Sequence, residues 1–218
     1  MQHVFVETNW LVGYAAPAHQ KIYTAVDLLQ KANRGEVQLY IPSICLAECR
    51  RPIREKFQVR SEADRVRRFL LWAKEMKIVD AIVDETVRKT LDQMEGLVKR
   101  DLGQLDEILA SLDKEHGVEI FSMNEDMLVR SVQLLHLGLQ PFDQAILASI
   151  LVKAETLKKN GIERFSFCEA DSDLQPSDKL GAPKEPLLSI YDQAAIWVYQ
   201  DFLLQEPQMP ANWPAAES

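Results

Sequence analysis

The chain has 218 residues, 47% hydrophobic and 27% charged, ordinary proportions for a globular protein with one sizeable core. Its formal net charge of −8 argues against a generalised nucleic-acid coat protein. No apolar run approaches the length that spans a bilayer, and the first apolar stretch is short and lacks a basic lead, so the expectation is a cytoplasmic protein with no membrane association.

The first apolar run, "VFV" at 4–6, reads as a buried strand, and it ends in Glu7, Thr8 and Asn9. A carboxylate at the end of a buried strand is costly unless something offsets its charge. Helical spacing follows from about Pro17 to Lys31, and "VQLYI" at 37–41, between Gly35 and Pro42, reads as a second strand. Ser43 is placed to cap a helix, "ICLAECRR", that Pro52 kinks or ends, and Ser61 with Asp64 resembles a capping box for a helix reaching about Met76. The segment Arg50 to Arg68 holds eight basic and three acidic residues, a local +5 on a chain otherwise at −13. Either ion pairs along a solvated helix face or a phosphate-tracking surface accounts for it.

From about Glu85 to His116 apolar residues recur at steps of three and four: Val87, Leu91, Met94, Val98, Leu102, Leu105, Leu109 and Leu112. This stripe covers the core, or breaks into a hairpin near Gly103, or forms a seam for a homodimer. "VEIFSM" at 118–123 reads as a strand or an extended segment, Asn124 caps a short helix closed by Gly138, and "PFDQAILASILVKAETLKKNG" is a helix ended by Gly161. The strand "RFSFC" comes next. A turn-rich connection then leads to an expected helix at about 187–204 and a disordered tail. Three cysteines, Cys45, Cys49 and Cys168, are an odd number in a chain of this type and read as small buried residues rather than a disulfide framework. Short strands alternating with helices predict a three-layer α/β/α fold with a mainly parallel sheet.

In such sheets ligands gather at the carboxyl ends of the strands. The polar residues expected there are nearly all acidic: Glu7, Glu48 on the helix after the second strand, Asp143 at the start of "PFDQAIL", and Asp171 with Asp173 after "RFSFC". Each has a plain structural reading alone, as a cap, a surface residue or a turn former. Together they would repel one another unless a cation neutralised them, and an all-oxygen set suits Mg²⁺ or Mn²⁺. The histidines have no ligand spacing for zinc, and there is no Gly-rich phosphate loop of an NTPase.

In order and context these residues resemble the PIN-domain family, metal-dependent nucleases that include the VapC-type toxins of bacterial toxin–antitoxin pairs. "VFVETN" is similar to the family's strand ending in Asp-Thr-Asn, "SICLAEC" to its Ala-Glu helix, "PFDQAILAS" to its Pro-Phe-Asp helix and "CEADSDL" to its acidic strand end. Two departures stand out: Glu7 replaces the usual aspartate, and Glu169 stands where threonine or serine is common. The resemblance implies a nuclease domain at 1–175 with a helical insertion at about 77–117, and an extension at 176–218. It implies an endoribonuclease whose Glu7, Glu48, Asp143, Asp171 and Asp173 hold the metal, with Thr8 and Asn9 in support, and an antitoxin as partner. Arg50, Arg51 and Arg54 follow Glu48 closely enough to form the basic rim that an RNA substrate needs beside an acidic pocket. Two alternatives remain: a PIN-like module that binds RNA or protein without cleaving, and a structure-specific DNA nuclease. Tyr191, Trp197, Tyr199 and Phe202 either serve a partner or pack back onto the domain.

Overall fold

Among the described residues, runs of β-branched and aromatic residues become five strands: β1 (Gln2–Val6), β2 (Val37–Pro42), β3 (Val118–Phe121), β4 (Phe165–Cys168) and β5 (Ile196–Tyr199). The structure, a computed structural model, describes residues 1–58, 60–178 and 180–213, without the side chains of residues 60–62. The strands pair in the order β3-β2-β1-β4-β5, all parallel. Each parallel pair needs a crossover, which the helices supply. Between β1 and β2 run α1 (Thr8–Tyr14) and α2 (Tyr23–Asn33). Between β2 and β3 come α3 (Ser43–Glu48), α4 (Arg50–Lys56), α5 (Arg60–Glu75), α6 (Ala81–Gly103) and α7 (Leu105–Ser111). Helices α8 (Glu125–Gln133) and α9 (Pro141–Lys159) join β3 to β4, and α10 (Leu187–Ala194) joins β4 to β5.

The chain first winds from β1 outward to β3, then returns to place β4 on the other side of β1. With right-handed crossovers this reversal puts the first group of helices on one face of the sheet and α8 to α10 on the other. The chain therefore has an α/β fold in three layers. One sheet face is aromatic: Phe5 lies 5.3 Å from Tyr40 and 5.8 Å from Phe165 between ring centroids, and the Tyr191 ring of α10 lies 6.2 Å from that of Phe167, tilted by 47°. Lys153 of α9 sits over Tyr40 and Phe121 and pairs with Glu119, so α9 is tied to this face. On the other layer Trp10 of α1 donates its indole N–H to the Ala25 carbonyl of α2 at 3.1 Å. Gly117, with φ of +72°, enters β3 so close to α2 that a Cβ there would lie 2.4 Å from the Ala32 carbonyl oxygen.

Several expectations meet the structure directly. Asn124 caps α8 by accepting from the Met127 N–H at 3.0 Å, and Gly138 takes the left-handed conformation after it. The helix expected from Pro17 begins only at Tyr23, while α1 forms where the sequence shows no long period, because Glu7 caps it. Ser43 is the first residue of α3 rather than its cap, and the break before α4 falls at Cys49 with Pro52 inside the first turn of α4, where its missing N–H is harmless. Ser61 lies inside α5, and its side chain is outside the described residues. The long stripe breaks at Gln104, and Leu91, Val98, Leu105, Leu109 and Leu112 are buried, so it is not an exposed seam.

The C-terminal region departs most from expectation. The helix expected at 187–204 stops at Ala194, whose successor Ala195 adopts φ of +56°, and the chain turns into β5. This segment completes the sheet. Tyr191, Tyr199 and Phe202 are core residues, and Trp197 donates to the Pro207 carbonyl at 2.8 Å and packs against Trp213. The expected disordered tail is thus placed as far as Trp213, and residues 214–218 lie outside the described ones. No helix among the described residues is long and apolar enough to cross a membrane.

Candidate functional site

In the strand order β3-β2-β1-β4-β5 the winding reverses between β1 and β4, and the crevice at the carboxyl ends of those two strands is where α/β sheets open a site. Val6 pairs with Cys168, so the next residues along each strand, Glu7 and Glu169, stand side by side at the switch point. Both are almost fully buried, at 5% and 2% exposure. Each folds back on its own chain in the same way. A Glu7 carboxylate oxygen accepts from the Asn9 N–H at 2.8 Å, and one of Glu169 accepts from the Asp171 N–H at 2.6 Å.

Two further carboxylates reach this crevice from other segments. Glu48, at the end of α3, accepts a hydrogen bond from the Thr8 hydroxyl. Asp143 lies in the first turn of α9, where the helix dipole favours an anion. Burial pushes the Glu7 carboxyl up to about 8, with Glu48 and then Asp143 adding their repulsion against the restraint of the Asn9 N–H. Asp143 is pushed up to about 6 by burial, then by Glu48, Asp173 and Asp171. Burial also raises Glu169 well above the usual carboxylate range, with Glu7 the first charge acting on it. Two buried carboxyls in each other's field cannot both ionise cheaply without a positive charge between them. The thiol of Cys45, buried beneath the cluster, is pushed up as well, by burial first and then by Glu7.

The remaining expected residues fall around this centre. Asp171 and Asp173 are exposed on a bend after β4, close enough to act on Asp143. That bend is held from beneath: Gln175 donates to the Glu169 carbonyl, Lys184 to the Ser172 carbonyl, and the Tyr191 hydroxyl to the Leu174 carbonyl at 2.9 Å. Thr8 and Asn9 serve Glu48 and Glu7 as described, one by its hydroxyl and the other by its backbone N–H. The arginines behave differently. Arg50 pairs with Asp106 at 2.7 Å and Arg54 with the same carboxylate at 3.4 Å, while Arg51 pairs with Glu55 at 2.7 Å. These pairs join α4 to α7 and link two side chains of α4, and all three arginines remain largely exposed.

Glu169 is the member that the expected site set left out, although it follows β4 as directly as Glu7 follows β1. The signal was the repeat of a strand-end glutamate with a polar residue two positions on, "ETN" and "EAD". As donors, the four buried or half-buried carboxyls suit a hard divalent cation in kind. Among the described residues, however, no three histidine, cysteine, aspartate or glutamate side chains already converge as a ligand set. Comparison with known proteins finds no matching family profile, no matching curated protein and no matching solved structure.

Proposed function

We propose that this protein is a Mg²⁺- or Mn²⁺-dependent endoribonuclease of the PIN type. The observation that carries the reading is that Glu7, Glu48, Asp143 and Glu169, from four separate segments, lie within one another's field at the switch point of a parallel sheet, with Glu7 pushed up to about 8 and Asp143 to about 6. Carboxylates that raise one another's pKa in a crevice are a functional-site signature rather than a stabilising one. Glu7, Glu48, Asp143 and Asp171 would hold the cation, with Asp173 at the margin. Bound there, it would lower the pKa of a water and offset charge on a phosphodiester.

The chain's own groups prepare that chemistry. The Asn9 N–H fixes one oxygen of Glu7, and the Thr8 hydroxyl fixes one of Glu48, so each carboxylate presents its other oxygen in a defined direction. Glu169 sits beside Glu7, and burial together with the Glu7 charge favours its protonated form, so that on ionising it would add a further anionic oxygen to the crevice. RNA as substrate and an antitoxin as partner rest on the resemblance in "VFVETN" and "PFDQAILAS".

A second reading, a PIN-like module that binds without cleaving, is favoured by one observation. Glu7 already serves as the cap of α1, a structural duty that would retain it without catalysis. One experiment separates the two: incubation of single-stranded and structured RNAs, and matched DNAs, with Mg²⁺, Mn²⁺ or EDTA. We expect metal-dependent RNA cleavage that Asp143→Asn reduces by about 100-fold or more. Equal inertness of wild type and variant with both metals rejects the nuclease reading, and preferential cutting of DNA junctions moves the substrate to DNA.

A further inference from the structure

Helix α5 uses its arginines in two directions. Arg67 turns inward and is held by Asp92 at 2.7 Å and Glu95 at 2.8 Å, which ties α5 to α6. Arg65 and Arg68 point outward with no carboxylate partner among the described residues; Arg68 donates only to the Asp64 carbonyl at 3.4 Å. At about 100° per residue, Arg65, Arg68, Phe69 and Trp72 fall within one arc of about 100°, with the buried Ala63 and Leu70 on the far side of the helix and the buried Ala73 at the edge of the arc beside Phe69. Phe69 and Trp72 are 58% and 49% exposed, and their rings stand 5.6 Å apart, tilted by 40°.

Exposed aromatic rings on a packed helix ask for a partner, and the charges beside them say which chemistry fits. An apolar protein surface laid on this arc would bury two guanidinium groups without counter-charge, a costly arrangement. A single-stranded nucleic acid supplies both complements at once, base faces for the rings and phosphates for the guanidinium groups. We propose that this face of α5 is a platform for single-stranded RNA, with bases stacking on Phe69 and Trp72 and backbone phosphates paired with Arg65 and Arg68. It lies on the helix that follows α4, whose Arg50, Arg51 and Arg54 remain largely exposed in their ion pairs. The proposal rests on the reading of the protein as acting on RNA, but not on whether the acidic crevice cleaves it.

Binding is therefore measured without cleavage. Full-length Asp143→Asn protein in EDTA is titrated against fluorescein-labelled 12-nucleotide oligoadenylate and oligouridylate by anisotropy across a range of salt, with tryptophan emission followed in parallel. Trp72→Ala is expected to weaken binding by about tenfold, the loss of one stacked base. The pair Arg65→Ala and Arg68→Ala is expected to lower the log–log salt slope by about 1.4, two phosphate contacts on a single strand. Melting temperatures close to wild type for these surface variants show that folding is not the cause. RNA affinity and salt slope unchanged in both variants overturn the platform. So does sedimentation showing that Trp72→Ala dissolves a dimer of the chain while RNA affinity stays the same. If the variants lose RNA while wild type cleaves nothing with either metal, the platform stands and the nuclease reading falls. If RNA cleavage persists at unchanged affinity in the variants, the reverse holds.

Discussion

Glu7 serves two purposes that pull in different directions. As the cap of α1 its carboxylate accepts from the Asn9 N–H and favours the charged form, yet burial and its acidic neighbours favour the neutral one, and the balance lands at about 8. The same contest at Asp143 ends at about 6. Between pH 4.5, the ordinary glutamate value, and about 8 the folded state holds a proton on Glu7 that the unfolded chain has released. Stability therefore falls as pH rises through that window, and through 3.8 to about 6 for Asp143. Thermal melts in EDTA should show a midpoint that declines from pH 5 to pH 8, and Glu7→Gln should flatten the upper part of the decline. Parallel curves for wild type and variant would show that Glu7 does not titrate as described. If the proposed cation binds here, added Mg²⁺ should raise the midpoint more at pH 8 than at pH 5, because protons would compete with it for the same oxygens.

Among the elements, β5 decides most. It pairs with β4 from Phe165 to Cys168, it lies beside the strand that ends in Glu169, and the Glu169 N–H donates to the Tyr199 carbonyl at 2.9 Å. The C-terminal segment is accordingly a wall of the domain and a support of the crevice, where the sequence pattern suggested an appendage. A chain ending after Gln175 should lack a cooperative melt and bind a hydrophobic dye, since Phe165 and Phe167 lose their cover. Within the full chain, Ile196→Ala, at a site 1% exposed, should cost about 2–5 kcal/mol by denaturant unfolding. A truncated protein that melts like the full chain would restore the appendage view.

Across the whole molecule, stability is divided unevenly. The sheet and the helices against it share one apolar cluster, whereas the hairpin of α5 and α6 is held by Leu70, Ala73, Leu91 and Val98 and by the pairs of Arg67 and of Asp84 with Lys74 and Arg88. Few buried apolar side chains and many solvent-facing ones mark a unit that opens locally. Amide hydrogen exchange should be faster in α5 and the first turns of α6 than in β1, β2 and β4. Uniform protection across the hairpin and the sheet would contradict this division. A platform on such a unit is free to adjust to a strand without disturbing the crevice.

Much of the architecture was legible in the chain by itself, because strands and long helices write their periods locally: "VFV", "VQLYI" and "RFSFC" become β1, β2 and β4, and "PFDQAILASILVKAETLKK" becomes α9. The strand-end positions of Glu7 and Asp143's place in a first helical turn followed from the same local patterns. What the pattern could not carry was long-range pairing. "IWVY" has the same composition as a helical apolar turn, and only hydrogen bonding to β4, at a separation that no local window spans, makes it a strand. The same reason hid Glu169: its closeness to Glu7 depends on the register Val6 to Cys168, set by a sheet order that the one-dimensional sequence does not state. It also explains the arginines, whose charge is plain in the sequence. Whether each one faces a carboxylate, as Arg50 does Asp106 across 56 residues, or solvent, as Arg65 does, is decided by packing alone.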